Sequence, residues 1–194
     1  MRFTAALLAS AFSLAAQSPG LKLGDGMPAF ALPGIDGKTF DSKAIQGPTV
    51  VVWLSTQCPV VRATEDRINA LAKAYRGKVA FVGINSNESE KHQGEDLPGM
   101  KAHAAEKGYI FPYLRDEAQT VVRAFGALCT PDLFLFDGRG KLVYRGRLDD
   151  AATGGKGAPV TKEDLKLALE AVLAGRTPDP DQKPSRGCSI KWKD

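Results

Sequence analysis

No block of basic residues runs through this chain of 194 residues, although 26 Lys and Arg against 22 Asp and Glu leave it at +4. Charge spread in this way serves solubility and gives a nucleic acid no footprint. No internal segment repeats, and the apolar stretch that opens the chain falls short of the roughly 20 residues that cross a bilayer comfortably. A sulfur is missing too. In "LSTQCPVV", residues 54–61, Cys58 stands before Pro59 at the junction of an apolar run and a helical pattern. The position three residues on, where C-x-x-C spacing would place a second cysteine, is Val61. The other two cysteines, Cys129 and Cys188, lie far along the chain.

What is present describes one domain with a full apolar core: hydrophobic residues make up 43% and charged residues 25%. The opening "MRFTAALLASAFSLAAQS" has one positive charge, Arg2, then an apolar stretch and small residues, with Ser13 and Ala15 at the −3 and −1 positions of a signal-peptidase site. Residues 1–16 are therefore expected to be a signal peptide, and the mature chain to be periplasmic or secreted with no stable membrane span. The alternative is an uncleaved anchor. Export would place the cysteines where disulfides persist unless a reductant is supplied.

The order of patterns along the chain defines the fold class. "LKLGDGMPAFALPGIDGKTF" reads as an irregular lead-in with a short hairpin at "DGKTF", and "PTVVVWLS" as a strand buried on both faces. Val61, Thr64, Ile68, Leu71 and Tyr75 recur at steps of three and four, predicting an amphipathic helix from Pro59 to about Arg76. "KVAFVGIN" is a second buried strand, "LPGMKAHAAEKG" a weaker helix closed by Gly108, "YIFPYLRD" a short strand and "EAQTVVRAFG" a short helix. "DLFLFDGRGKLVYRGRL" is a hairpin, and "TKEDLKLALEAVLAG" a last helix opened by Thr161 with Asp164 in a capping-box position and closed by Gly175. Alternation followed by a hairpin predicts an α/β fold, a mixed central sheet with helices on both faces.

Cys58 would precede the first turn of its helix, with Pro59 where a missing N–H costs nothing. Unpaired N–H groups and the helix dipole at that end favour a thiolate, the form of cysteine that reacts. The alternative is a buried, inert cysteine. "GINSN" and "RLDD" contain common turn formers and read as turns, or else as parts of a binding surface.

With "LSTQCP" ending a buried strand and "CTPDLFLFD" entering a hairpin, the chain resembles the thioredoxin fold from about Leu21 to Gly175. That resemblance implies a cis proline after a threonine, Thr130–Pro131, facing Cys58. Thioredoxins have an acidic residue six positions before the nucleophile; here it is Val52, so an easy proton relay from that position is absent. Peroxiredoxins need one cysteine at this place. Ser55 matches their threonine hydroxyl, Val51 replaces their proline, and their supporting arginine is missing, with Arg62 or Arg123 as substitutes or as plain surface residues. "GINSN", "CTPDLFLFD", "YRGRLDD" and the terminal "GCSIKW" are similar to a redoxin (AhpC/TSA-type) branch of peroxiredoxin-like proteins. The resemblance implies a thiol oxidoreductase without cofactor, acting on a small peroxide or a protein disulfide and renewed by an external thiol. Cys58 would be its nucleophile, with Ser55, Pro59, Thr130 and Pro131 shaping the pocket.

The partner thiol is open. Cys129 is expected to point away from Cys58 and pack under the hairpin, and is a secondary candidate. Cys188 lies in a tail, residues 176–194, that reads either as disordered or as docked. Cys188, Ile190 and Trp192 alternate with polar residues, the pattern of a docked strand with all three on one face. The stretch from Gly175 to Cys188 reaches ~45 Å when extended, enough to cover a domain roughly 40 Å across. Cys188 is therefore the preferred resolving cysteine. Two other classes compete. The three cysteines with His92 or His103 could hold Cu(I) as in copper chaperones of the same fold, though Arg62 stands where their second cysteine falls. A non-catalytic binding module is the third reading.

Overall fold

In the computed structural model, which describes residues 20–151 and 159–193, the apolar run at 49–53 becomes the middle strand of the sheet. The predicted signal peptide lies outside the described residues. Two short strands, β1 (Ala31–Pro33) and β2 (Thr39–Asp41), form the expected hairpin. The central strand is β3 (Thr49–Trp53), followed by α1 (Pro59–Ala74), β4 (Ala80–Asn85), α2 (Leu97–Lys107) and β5 (Tyr113–Arg115). Next come α3 (Thr120–Phe125), β6 (Cys129–Thr130), β7 (Asp132–Phe136), β8 (Leu142–Gly146), α4 (Asp164–Leu173) and β9 (Cys188–Ser189). Among the described residues no helix is long and apolar enough to cross a membrane.

The five-stranded sheet has the order β5-β4-β3-β7-β8, with β3, β4 and β5 parallel and β7 and β8 antiparallel to their neighbours. Alternation along β3 divides the core. Val50 and Val52 face a layer with Val61 and Ile68 of α1, Met100 of α2 and Leu165 and Leu169 of α4. Val51 and Trp53 face Val122 and Phe125 of α3 and Phe30 of the lead-in. Each such fully buried side chain contributes about 1.5–3 kcal/mol, so strand and helix ends near Trp53 and Cys58 are held by packing on both faces of the sheet.

One helix start differs from the expectation. The residue before α4 is Glu163, without a side-chain cap bond, and Thr161 donates its hydroxyl to Asp150 instead. Asp164 is drawn off by Arg147 Nε at 2.7 Å, so neither half of the capping box is free to form. The ends of α2 and α3 follow the sequence, with Gly108 and Gly126 left-handed at φ 62° and 68°.

Beyond α4 the chain is docked. Gln182 accepts from the N–H of Arg145 and donates to the carbonyl of Val143, and Ser185 donates to the carbonyl of Gly146, so the tail covers the open edge of β8. It then passes to β9, which pairs antiparallel with β6.

Candidate active site

The strand that ends at Trp53 hands the backbone to α1 through a turn whose N–H groups are met by side chains. Ser55 Oγ accepts from the N–H of Gln57 at 3.2 Å and of Cys58 at 3.1 Å. The Ser55 hydroxyl donates in turn to Glu95 Oε1 at 2.5 Å, and Glu95 also accepts from the N–H groups of Thr56 and Gln57. Asn85, at the end of β4, donates to Glu95 Oε2 at 2.5 Å. Cys58 is the N-cap of α1 and Pro59 opens the helix, as the sequence predicts.

Facing this turn, the Thr130–Pro131 peptide bond is cis. The Thr130 carbonyl lies 3.0 Å from Cys58 Sγ, and Cys188 Sγ lies 2.9 Å from it. Bonded sulfurs stand at about 2.05 Å, so the two thiols need close by less than an ångström to join. The register Thr130↔Cys188 within the β6–β9 pair brings this about.

The two sulfurs are unequal. Burial pushes the Cys58 thiol up, but the hydrogen bond from Cys188, the Thr130 side chain and the backbone groups of Val61 and Cys188 outweigh it and hold the group below its ordinary value. Cys188 moves the other way: burial, its bond to Cys58 and the Cys58 charge raise it well above the usual thiol range. Cys58 is thus the more acidic sulfur of the pair and Cys188 the less acidic. The Cys129 sulfur lies 3.5 Å from the Pro131 carbonyl. Burial and the nearby Asp132 push it up to about 12.

A cleft of about 200 Å³ opens at Cys58 and Cys188, lined also by Ser55, Gln57, Asn87, His92, Glu95, Ser189 and Lys191. His92, named from the sequence only as a possible Cu(I) ligand, lines it, and Glu95 was not singled out at all. The acidic residue missing at Val52 has a counterpart here from another segment, a buried carboxylate beneath the Cys58 turn. The signal for both lay within "SNESEKHQGED", a polar stretch that only the fold distinguishes from solvent-exposed loop.

Other expectations are corrected by the structure. "GINSN" is no simple turn: Asn85, Ser86 and Asn87 are buried, Ser86 receiving the Trp53 indole N–H and Asn87 the N–H of Lys191. "RLDD" has a buried Asp149 that takes both Nε and Nη2 of Arg67. Arg62 and Arg123 do not serve the thiol, since Arg62 Nε donates to the Thr56 carbonyl and Arg123 lies over the Trp192 ring at 4.5 Å. Cys188, Ile190 and Trp192 do not share one face. Regular pairing ends at Ser189, so Cys188 packs with the α1 layer, Ile190 with the α3 layer, and Trp192 stays 42% exposed. His103 is bonded to Glu65 at 2.7 Å, and among the described residues no group of three or more His, Cys, Asp or Glu side chains is placed to hold a metal.

With the geometry in hand, comparison with known proteins is informative. The model of the AhpC/TSA family matches residues 23–145. The chain belongs to the AhpC/TSA family. Family membership makes it a thiol-dependent oxidoreductase of thioredoxin-like fold, while Cys188 lies beyond the matched segment. An uncharacterized conserved protein from Geobacillus kaustophilus is similar at 43% identity, covering 89% of this chain and 93% of its own, with a TM-score of 0.84. A hypothetical protein from Sinorhizobium meliloti is similar at 39% identity, covering 91% and 98%, with a TM-score of 0.85. The peroxidoxin BcpB from Mycobacterium tuberculosis shares the fold at 20% identity, covering 63% and 83%, with a TM-score of 0.53. No curated protein matches.

Proposed function

We propose that this AhpC/TSA-family chain reduces a small hydroperoxide with Cys58 and resolves the product with Cys188. The observation that carries the reading is the 2.9 Å between the Cys58 and Cys188 sulfurs, with Cys58 the more acidic of the two. The Cys58 thiolate attacks the terminal oxygen of the peroxide, the O–O bond breaks, and the alkoxide leaves with the proton that Cys58 gave up on ionising. Cys58 is then a sulfenic acid. The Cys188 sulfur attacks it, an S–S bond forms, and the hydroxyl departs as water with the Cys188 proton. An external thiol returns both cysteines to the reduced state. Ser55 and Glu95 hold the turn, and the cis Thr130–Pro131 segment carries Cys188 into reach. The opening residues 1–16 support export, so the cycle is proposed for an extracytoplasmic compartment.

Peptide mapping without reductant, after one equivalent of hydrogen peroxide, tests this. The expected product is a peptide pair joined through Cys58 and Cys188, with two thiols lost per peroxide. Linkage of Cys58 to Cys129, or three free thiols, would sink it.

A further inference from the structure

The edge of β6 lies against Cys58, and β9 of the chain's own tail fills it. Extended polypeptides dock on such edges by main-chain pairing, placing alternate side chains in the adjoining pockets. Here Cys188 stands in register with Thr130 and presents its sulfur to Cys58 at 2.9 Å, where the cysteine of a docked substrate strand would stand. The tail is held there firmly. The N–H of Ile190 donates to the Leu128 carbonyl, and its side chain is 3% exposed in the α3 layer. Gln119 donates to the Lys191 carbonyl and accepts from the N–H of Lys193, and it is the one non-glycine among the described residues at positive φ, 57°. Gly187 passes so close to Thr130 that a Cβ there would overlap the Thr130 carbonyl oxygen. Beside the two sulfurs a cleft of about 200 Å³ stays open, smaller than the roughly 300 Å³ at which drug-sized ligand pockets begin.

We propose that residues 187–193 are a built-in stand-in for a substrate strand, restricting the site to small polar oxidants and barring polypeptide disulfides for as long as the tail is docked. This rests on Cys58 being the reactive sulfur. When the tail leaves, Cys58 loses the Cys188 donor and its value rises, so at alkaline pH its thiolate attacks a polypeptide disulfide: a mixed disulfide forms and one substrate thiolate is released. A dithiothreitol thiolate then attacks the Cys58 sulfur and frees the other substrate thiolate, and its second thiol displaces Cys58 as dithiothreitol closes to its cyclic disulfide.

The test compares hydrogen peroxide with insulin as substrates at pH 9, so that loss of the Cys188 donor does not mask the gain in access, both with dithiothreitol as reductant, for wild type and Gly187→Ala. Amide exchange at residues 187–193 reports docking. Wild type should consume peroxide and leave insulin almost untouched. Gly187→Ala should lose protection across the tail and reduce insulin about tenfold faster, the ratio expected if the undocked population rises by 1.4 kcal/mol. Ile190→Asp, which puts a charge in the apolar socket, should do the same. Wild type reducing insulin as fast as the variants would overturn the proposal, as would a loosened tail that leaves insulin inert. A tail still protected in Ile190→Asp would also count against it, since other contacts would then be holding the strand. Failure of the Cys58–Cys188 bridge to form in wild type with peroxide is a separate result, which refutes the peroxide cycle and not the restriction on insulin.

Discussion

The Cys58 thiol is brought below its ordinary value by neighbours that donate to it, and the largest lowering contribution is the thiol of Cys188. Replacing Cys188 by Ala removes that donor, so the Cys58 value should rise. The midpoint of the pH–alkylation profile of Cys58 should therefore move up, with iodoacetamide labelling at pH 7 slowed accordingly. An unmoved midpoint would mean that Thr130 and the helix end suffice alone. At this scale the sequence was most legible where the chemistry is local. Cys58, Pro59 and Ser55 sit within five consecutive residues, and their roles follow from a strand running into a helix. Glu95 and His92 were not legible, because the Ser55–Glu95 bond spans 40 positions and nothing in the intervening polar run announces burial.

Elements were legible to the extent that periodicity exposes them. The all-buried β3 and the three-and-four spacing of α1 are strong signals, and both elements formed where expected. Short pieces were harder to read: β9 has two residues, too few for an alternating pattern to fix which side chain faces inward. The turn reading of "GINSN" failed because Asn and Ser satisfy buried groups as readily as they make turns. Packing between elements also raises a pH question. Glu65 of α1 is 2% exposed and accepts from His103 of α2 at 2.7 Å and from the Tyr109 hydroxyl at 2.8 Å. Burial raises its carboxyl, yet His103, Tyr109 and Lys107 together bring it below the ordinary value. A carboxylate depressed in the folded state stabilises above its unfolded value, about 4.3, and that contribution is lost as the pH falls through the lower folded value. Glu65→Gln should lower stability at pH 7 by about 1.5–3 kcal/mol and flatten the fall in melting temperature below pH 4.3. An acid limb of unchanged slope would assign the loss to other carboxylates.

For the whole molecule, joining Cys58 to Cys188 would close a loop of 130 residues. A bridge of this kind restricts the unfolded chain more than the folded one and commonly stabilises by about 2–4 kcal/mol. For a domain of this size that corresponds to a rise in melting temperature of roughly 5–15 °C, which scanning calorimetry of oxidised and reduced protein would measure. Equal melting temperatures would mean that the oxidised fold is strained. The general architecture was legible at this scale because the alternation of strand and helix patterns leaves few topologies. The path of the tail was not, since its three prolines and lack of period fit docked and free chains alike.

That separation of 130 positions has a consequence for biosynthesis. At about 5–20 residues per second, Cys58 leaves the ribosome roughly 7–26 seconds before the sulfur that answers it. Through that interval the nascent chain holds an unaccompanied thiol, open to wrong partners until the tail follows.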